Sequence, residues 1–504
     1  MNKTILTAIG IASVCGPLVA QTQLANKITS DTTLEAGNEY LIDGYTYVMP
    51  GATLTIEPGV TIYAAEGTGA SASALVVTRG ASINAVGTAV EPIVFTPISS
   101  KTATLGPDDS GMWGGVIILG NGILNSNKSG SFTGDYPTQD VEGMVPATGD
   151  ESLINYGGSD SSESSGTFRY VSIRHGGTVI SEGNEINGLT LGGVGSGTTI
   201  DHVEVFGNKD DAIEIFGGAV NLDYIVAAFS YDDSLDLDEG WQGQVQHFFA
   251  IQRKGGEGLD DKGDKGGEWD GNDKPATREP LMLLQLANAT FVGMGTEASN
   301  TAINIRANGA AEVYNSLFVE YNKMLQIDKD SDEATLGRFN DGDIKFEGNL
   351  WYSSTAANNT VTGLAVAGDS YVAGLDAFFS GTNQIVDPGL TVSRTAGSFA
   401  LDVTPAADSA AITAGTVNVP AGLAKKSYRG AFDTYYNWAT GWTKLYEDGY
   451  FVMEGTWFEH PKWGWMYLNS GALEVASYVY FQETDQWVWL ASEDDTGFWT
   501  YLFR

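Results

Sequence analysis

Cysteine is nearly missing from this 504-residue chain: Cys15 is the single one, and histidine occurs only four times. One thiol cannot close an intramolecular disulfide, so stability must come from backbone pairing, packing or bound ions. No Cys/His pair has the spacing of a zinc site or of a thiol nucleophile with its base. Basic residues are also scarce, 26 Lys plus Arg against 63 Asp plus Glu, which leaves a formal charge of −37. Such a surface repels phosphates and anionic lipid, and it excludes nucleic acid as a partner. Helical periodicity is almost absent. Beyond the first 20 residues no apolar run is long enough to span a bilayer as a helix. "GGVGSGT" (192–198) has the glycines of a nucleotide loop, but no helix pattern follows it, so it reads as a corner.

The first 20 residues have the form of a secretory signal. Lys3 provides the positive start, "ILTAIGIASVCGPLVA" the apolar stretch, and Ala20 the small residue before a cut ahead of Gln21. A secreted or outer-surface location is therefore expected. Val14 precedes Cys15 where a lipidation site has Gly or Ala, so ordinary cleavage is the preferred reading.

After the signal the chain repeats short alternating runs of β-branched or large apolar residues, separated by Gly, Asn, Asp or Ser. Examples are "TLTIEPGVTIYA" (53–64), "ALVVTRGASINAVG" (74–87) and "DHVEVFGN" (201–208). In the middle the repeat is quantitative. Val203/Val205 maps onto Ile225/Ala227, and Ile213/Ile215 onto Leu235/Leu237, each after 22 residues. Two strands per step with inward aliphatics and Gly/Asn corners predict a solenoid, in particular a parallel β-helix. The expected fold class is all-β: a right-handed parallel β-helix over 21–430, then a small antiparallel β domain over 434–504. The Gly-rich, mixed-charge stretch 253–280 reads as an excursion loop.

Two blocks carry a family resemblance: "TLTIEPGVTI … ALVVTRGASINAVGTAVEPIVFT … MWGGVIILGNG" and the run from "YGGSDSSESSGTFRYVSIRHGG" to "NKDDAIEIFGGAVN". The chain resembles exported right-handed parallel β-helix surface proteins of Gram-negative bacteria over about residues 35–445. "DKGGEWDG" (264–271), "YRGAF" and "NWATGWTKL" are similar to the same family. The resemblance implies fold and location; it leaves function open, because this fold hosts lyases, hydrolases and adhesins alike.

The residues most suggestive of chemistry are acidic. Between Asp201 and Trp241 lie eleven Asp or Glu and a single Lys, Lys209. Alternation sends Glu214 and Asp236 outward, with Asp210, Asp211, Asp232 and Asp233 at the preceding corner. One reading is a solvated corner whose aspartates cap turn amides. Another is a Ca²⁺ site built from Asp210, Asp211, Asp232 and Asp233, since Ca²⁺ takes six to eight oxygens. A third is catalysis by Glu214, Asp232, Asp233 and Asp236, because paired carboxylates perform general acid and base work on sugars. "NKDD" and "YDDSLDLD" resemble the aspartate set of polygalacturonase-like hydrolases, but no Gly-His-Gly or Arg-Ile-Lys follows. His175 and His202 match neither role. Arg174 and Arg306 are outward candidates for a lyase base, though a lone strand Arg more often pairs with a surface acid.

Aromatic residues give the remaining candidates. Eight of the twelve Trp lie between Trp438 and Trp499. "WGWMYL", "YVYF", "WVWL" and "FWTYLF" predict strands with rings at period two. Most of these rings are expected to build a core. As a binding surface, Trp463, Trp465, Trp487 and Trp489, with Trp269 in the 253–280 stretch, would stack on sugar rings. The function expected from these features is a non-catalytic carbohydrate-binding or adhesion component. A polysaccharide lyase or glycoside hydrolase is the alternative.

Overall fold

Among the described residues, twenty-nine strands lie in two long sheets, 18 in one and 11 in the other. The structure, a computed structural model, describes residues 21–448 except 127–136, 145, 182–183, 255–262, 273–277, 296–299, 329–333, 356–358, 361–364, 367–373, 396–397 and 435–436. Beyond 448 it describes the backbone of five strands between 456 and 501.

Both long sheets are parallel ladders in which each strand pairs with the strand one lap earlier. Ile213 faces Leu235 and Val203 faces Ile225, the two registers predicted from the 22-residue step. The architecture is a right-handed parallel β-helix. Its interior is a column of aliphatic and aromatic side chains, Ile213, Ile215, Leu235, Leu237, Phe248 and Phe291 among them, all fully buried. Each rung is stabilised mainly by its two neighbours, as in any solenoid.

The wider sheet covers two faces. Gln242–Ile251 pairs with Leu283–Ala287 along its first half and with Thr290–Val292 along its second. Between the halves, one residue per rung turns the corner in the left-handed region: Tyr170, His202, Tyr224, His247, Asn288 and Asn315, at φ of +50° to +56°. Four of these form a stack with centroid spacings of 4.2, 4.5 and 4.2 Å. Ring stacking helps offset the cost of that backbone.

A second apolar core lies outside the wider sheet. There Trp438, Trp442 and Leu445 pack against Phe206, Phe229 and Phe249. The fully buried Glu204 carboxylate accepts hydrogen bonds from the Lys444 and Leu445 amides (2.6 and 3.2 Å) and from Ser172 Oγ (2.6 Å). Arg174 donates to both oxygens of Glu447, at 2.7 and 2.9 Å. Among the described residues no helix is long and apolar enough to cross a membrane.

Three expected boundaries change. The parallel ladder ends at Gln384–Ile385, short of residue 430, and Thr391–Thr395 pairs antiparallel with Ser398–Asp402 instead. Residues 438–445 cover the β-helix, and the five-strand antiparallel sheet starts at Thr456 rather than at 434. The stretch 253–280 is not one loop: Lys265–Asp270 is a rung strand between Leu235–Asp238 and Thr301–Arg306. Its composition conceals this, because Gly267 takes the inward place that an aliphatic holds on other rungs. The Trp269 ring fills that space: a Cβ on Gly267 would meet Trp269 Nε1 at 2.5 Å.

Candidate functional site

One line of outward positions on the narrower sheet is polar throughout the middle rungs. Thr190, Glu214, Asp236, Glu268, Asn304 and Gln326 face one another in sequence across successive strands. Neighbouring strands lie about 4.8 Å apart, so three consecutive carboxylates are held at close range by backbone pairing alone. The corner before these strands adds Asp210, Asp211, Asp232, Asp233 and Asp264. Carboxylate oxygens come within 4.8 Å of one another in four triplets: Asp210–Asp211–Asp232, Asp211–Glu214–Asp236, Asp232–Asp233–Asp264 and Asp233–Asp236–Glu268. At that separation a pair of charges repels by about 3.5 kcal/mol for an effective dielectric of 20.

Two of the corner acids hold the backbone together. Asp211 Oδ1 accepts from the Asp233 amide at 2.8 Å, and Asp233 Oδ1 from the Lys265 amide at 2.7 Å. Each therefore caps the next lap, as the solvated-corner reading expects, but only part of the corner is solvated. Asp211 and Asp233 are buried, Asp210 is half-buried and Asp232 is exposed. Glu214 and Asp236 point outward as predicted, yet each keeps only a small accessible edge. Val141–Glu142 and Ile186–Asn187 line, with Asp211 and Glu214, a half-open cavity of about 290 Å³ beside the row.

Enclosure changes the ionisation of the row. Burial, then repulsion from neighbouring acids, pushes Asp211, Glu214 and Asp236 well above the usual carboxylate range. Asp233 shifts the same way by burial, although the Lys265 charge opposes it. Burial outweighs the Arg306 hydrogen bond at Asp270 and moves it up to about 6. On and beside the row, Asp236 Oδ1, Asn187 Oδ1 and Asn304 Oδ1 are among the buried oxygens without a hydrogen-bond partner. Asn187 is 5% exposed, lines the cavity and donates its amide to Glu214. A cavity with carboxylates, a side-chain carbonyl and unshared lone pairs has the donor chemistry of a hard cation site. Sequence reasoning missed Asn187 and the row position of Glu268. The alternation in "KGGEWD" was the signal for Glu268; for Asn187 no local signal exists.

The other sequence candidates lie elsewhere. Trp269 is fully buried, so it cannot offer its ring to a sugar; it packs in the column between Leu237 and Ile305. Arg306 donates to both Asp270 oxygens at 2.7 Å and approaches Glu268 at 3.1 Å. Those pairs occupy the charge that a lyase base would need. His175 is buried, with Nδ1 2.6 Å from the Asp109 carbonyl, and desolvation lowers it to about 4. In the C-terminal sheet Trp465 faces Glu459, Trp487 faces Tyr480 and Trp489 faces Tyr478 across antiparallel strands. Trp463 and residues 1–20 lie outside the described residues.

Residues 26–383 match the family model described as a pectate-lyase-like beta helix domain, and the chain belongs to that family. Neither the curated proteins nor the solved structures contain a match.

Proposed function

We propose that this β-helix protein is an exported or cell-surface component that holds Ca²⁺ in the cavity over Glu214 and binds carbohydrate on the same face, without catalysis. The observation that carries this reading is the desolvated group Asp211–Glu214–Asp236, with the unshared Asn187 and Asp236 oxygens beside it. Among the described residues no Lys or Arg lies within salt-bridge distance of those three acids. A divalent ion would relieve their repulsion and use those lone pairs. Without an ion the row disfavours uronate polymers, so neutral glycans suit the metal-free protein and acidic ones the loaded form. Trp465, Trp487 and Trp489 in the C-terminal sheet are a second candidate sugar surface.

Calcium at a hundredfold excess over its Kd is expected to stabilise the mature chain by about 2.7 kcal/mol. With an unfolding entropy of about 2.1 cal/mol/K per residue, that is a rise in Tm of roughly 3 °C over some 400 residues. A melting curve unchanged between chelator and calcium would remove the ion. A glycan array probed in both conditions tests the rest, and no glycan bound in either would remove the carbohydrate reading.

One observation favours the alternative, a glycoside hydrolase or polysaccharide lyase. Glu214 keeps its proton above the ordinary carboxylate range, as a general acid must. The oxygens of the Asp211–Glu214–Asp236 triplet lie within 4.8 Å, too close for the roughly 6.5–9.5 Å of an inverting pair and nearer the roughly 5–5.5 Å of a retaining one, so a hydrolase working here would retain configuration. New reducing ends, or unsaturated products absorbing in the ultraviolet, would establish the enzyme.

A further inference from the structure

The four acid triplets are not equivalent. Lys265 Nζ lies 2.7 Å from Asp264, 3.2 Å from Glu268 and 3.7 Å from Asp233. Those contacts reach both lower triplets, Asp232–Asp233–Asp264 and Asp233–Asp236–Glu268. The ammonium is held there by the rung itself, since the Lys265 amide is bonded to Asp233 Oδ1 at 2.7 Å. Asn304 sits one strand further on, 3% exposed, with its amide 3.4 Å from Glu268 Oε1 and its own Oδ1 unpartnered. The lower position therefore has the same makeup as the upper one: carboxylates plus a buried amide oxygen with lone pairs unused. It differs in holding the chain's own charge: Lys265 among its carboxylates, with Arg306 3.1 Å from the other Glu268 oxygen.

We infer that Lys265 is a tethered counter-ion filling the second of two adjoining cation positions on the acidic row, so that the native chain takes a divalent ion only at the upper position, among Asp211, Glu214, Asp236 and Asn187. An ammonium is a compact point charge, and here it donates one hydrogen bond to Asp264 and lies within ion-pair distance of Glu268 and Asp233. With the charge removed and the stem kept, Asp233, Asp236 and Asp264 lose their ammonium, Arg306 remaining only on the far oxygen of Glu268, and they become a site for the same class of ion.

The inference rests on the proposed cation reading for the upper position, but the two fail separately. Calorimetric titration with Ca²⁺ is expected to give one ion per native chain and two per K265M chain. One ion in both proteins would overturn the role of Lys265 and leave the upper site standing. No ion in the native chain and one in K265M would remove the upper site and keep Lys265 as the counter-ion. Should K265M fail to fold, E268Q and E214Q decide in its place. With the native ion at the upper position, E268Q retains its stoichiometry of one and E214Q loses it; the reverse pattern would place the ion where Lys265 sits and overturn the inference.

Discussion

Replacing Trp269 by alanine is expected to destabilise the protein by about 3–5 kcal/mol, the usual cost of deleting a large ring from a packed interior. The ring is fully buried and stands in line with Leu237 and Ile305. It also covers the space that Gly267 leaves, so its loss opens a cavity of two side chains at one rung. Solenoid rungs depend on their neighbours, and the damage should spread to the Leu235–Asp238 and Thr301–Arg306 strands that bracket it. A double change, Gly267→Val with Trp269→Leu, restores the aliphatic pair found on those strands and should recover much of the loss. Chemical denaturation of the three proteins measures this. A Trp269→Ala protein of native stability that no longer bound glycan would return the ring to the surface role that its sequence context suggested.

The second large effect is an inverted dependence on pH. In the presence of chelator, stability is expected to fall as pH rises from 5 to 8. Asp211, Glu214, Asp233, Asp236 and Asp238 all have folded pKa values raised well above their unfolded ones. Above about pH 4, where unfolded carboxylates ionise, the folded chain therefore binds more protons than the unfolded chain. Stability then declines with pH until each folded pKa is passed. For Asp270 that window runs from about 4 to about 6. Each pKa unit at each group is worth about 1.4 kcal/mol, so the five acids together outweigh a single cap or surface ion pair. Asp201, lowered by His202 and Arg169, acts the other way: its contribution is present above about pH 4 and lost below. Lys265 is raised, but it titrates far above this range and adds no slope within it. Calcium should flatten the decline, because the ion replaces the protons and binds more tightly as they leave. Melting temperatures at several pH values, with chelator and with calcium, test both statements. A steady rise in Tm from pH 5 to 8 in chelator would contradict the buried row.

Much of this architecture was legible in the sequence, for a local reason. Where two laps are equal in length, the spacing of inward aliphatics states the register directly, as at Ile213 and Leu235. Period two then puts Glu214 and Asp236 on the outer face without further information. Legibility fails where laps differ in length. Leu189 to Ile213, Ile213 to Leu235, Leu237 to Trp269 and Trp269 to Ile305 are steps of 24, 22, 32 and 36 residues. Glu268 was therefore visible as an acid in a glycine-rich stretch but not as the next member of the row. Asn187 belongs to the segment entering an earlier lap, and nothing in its neighbours marks it.

By itself the sequence determined the lap, the parity of each strand and the excess of negative charge, because these follow from residue order and backbone geometry. Only the tertiary structure decided which of those charges stay hydrated. That depends on Glu142, from a segment well before the row, and Asn187, from the start of the adjoining lap, which line the cavity beside Glu214, and on the Lys265 ammonium, which reaches only half of the row. Proximity in a ladder is set by counting residues, whereas desolvation is set by everything that packs above them.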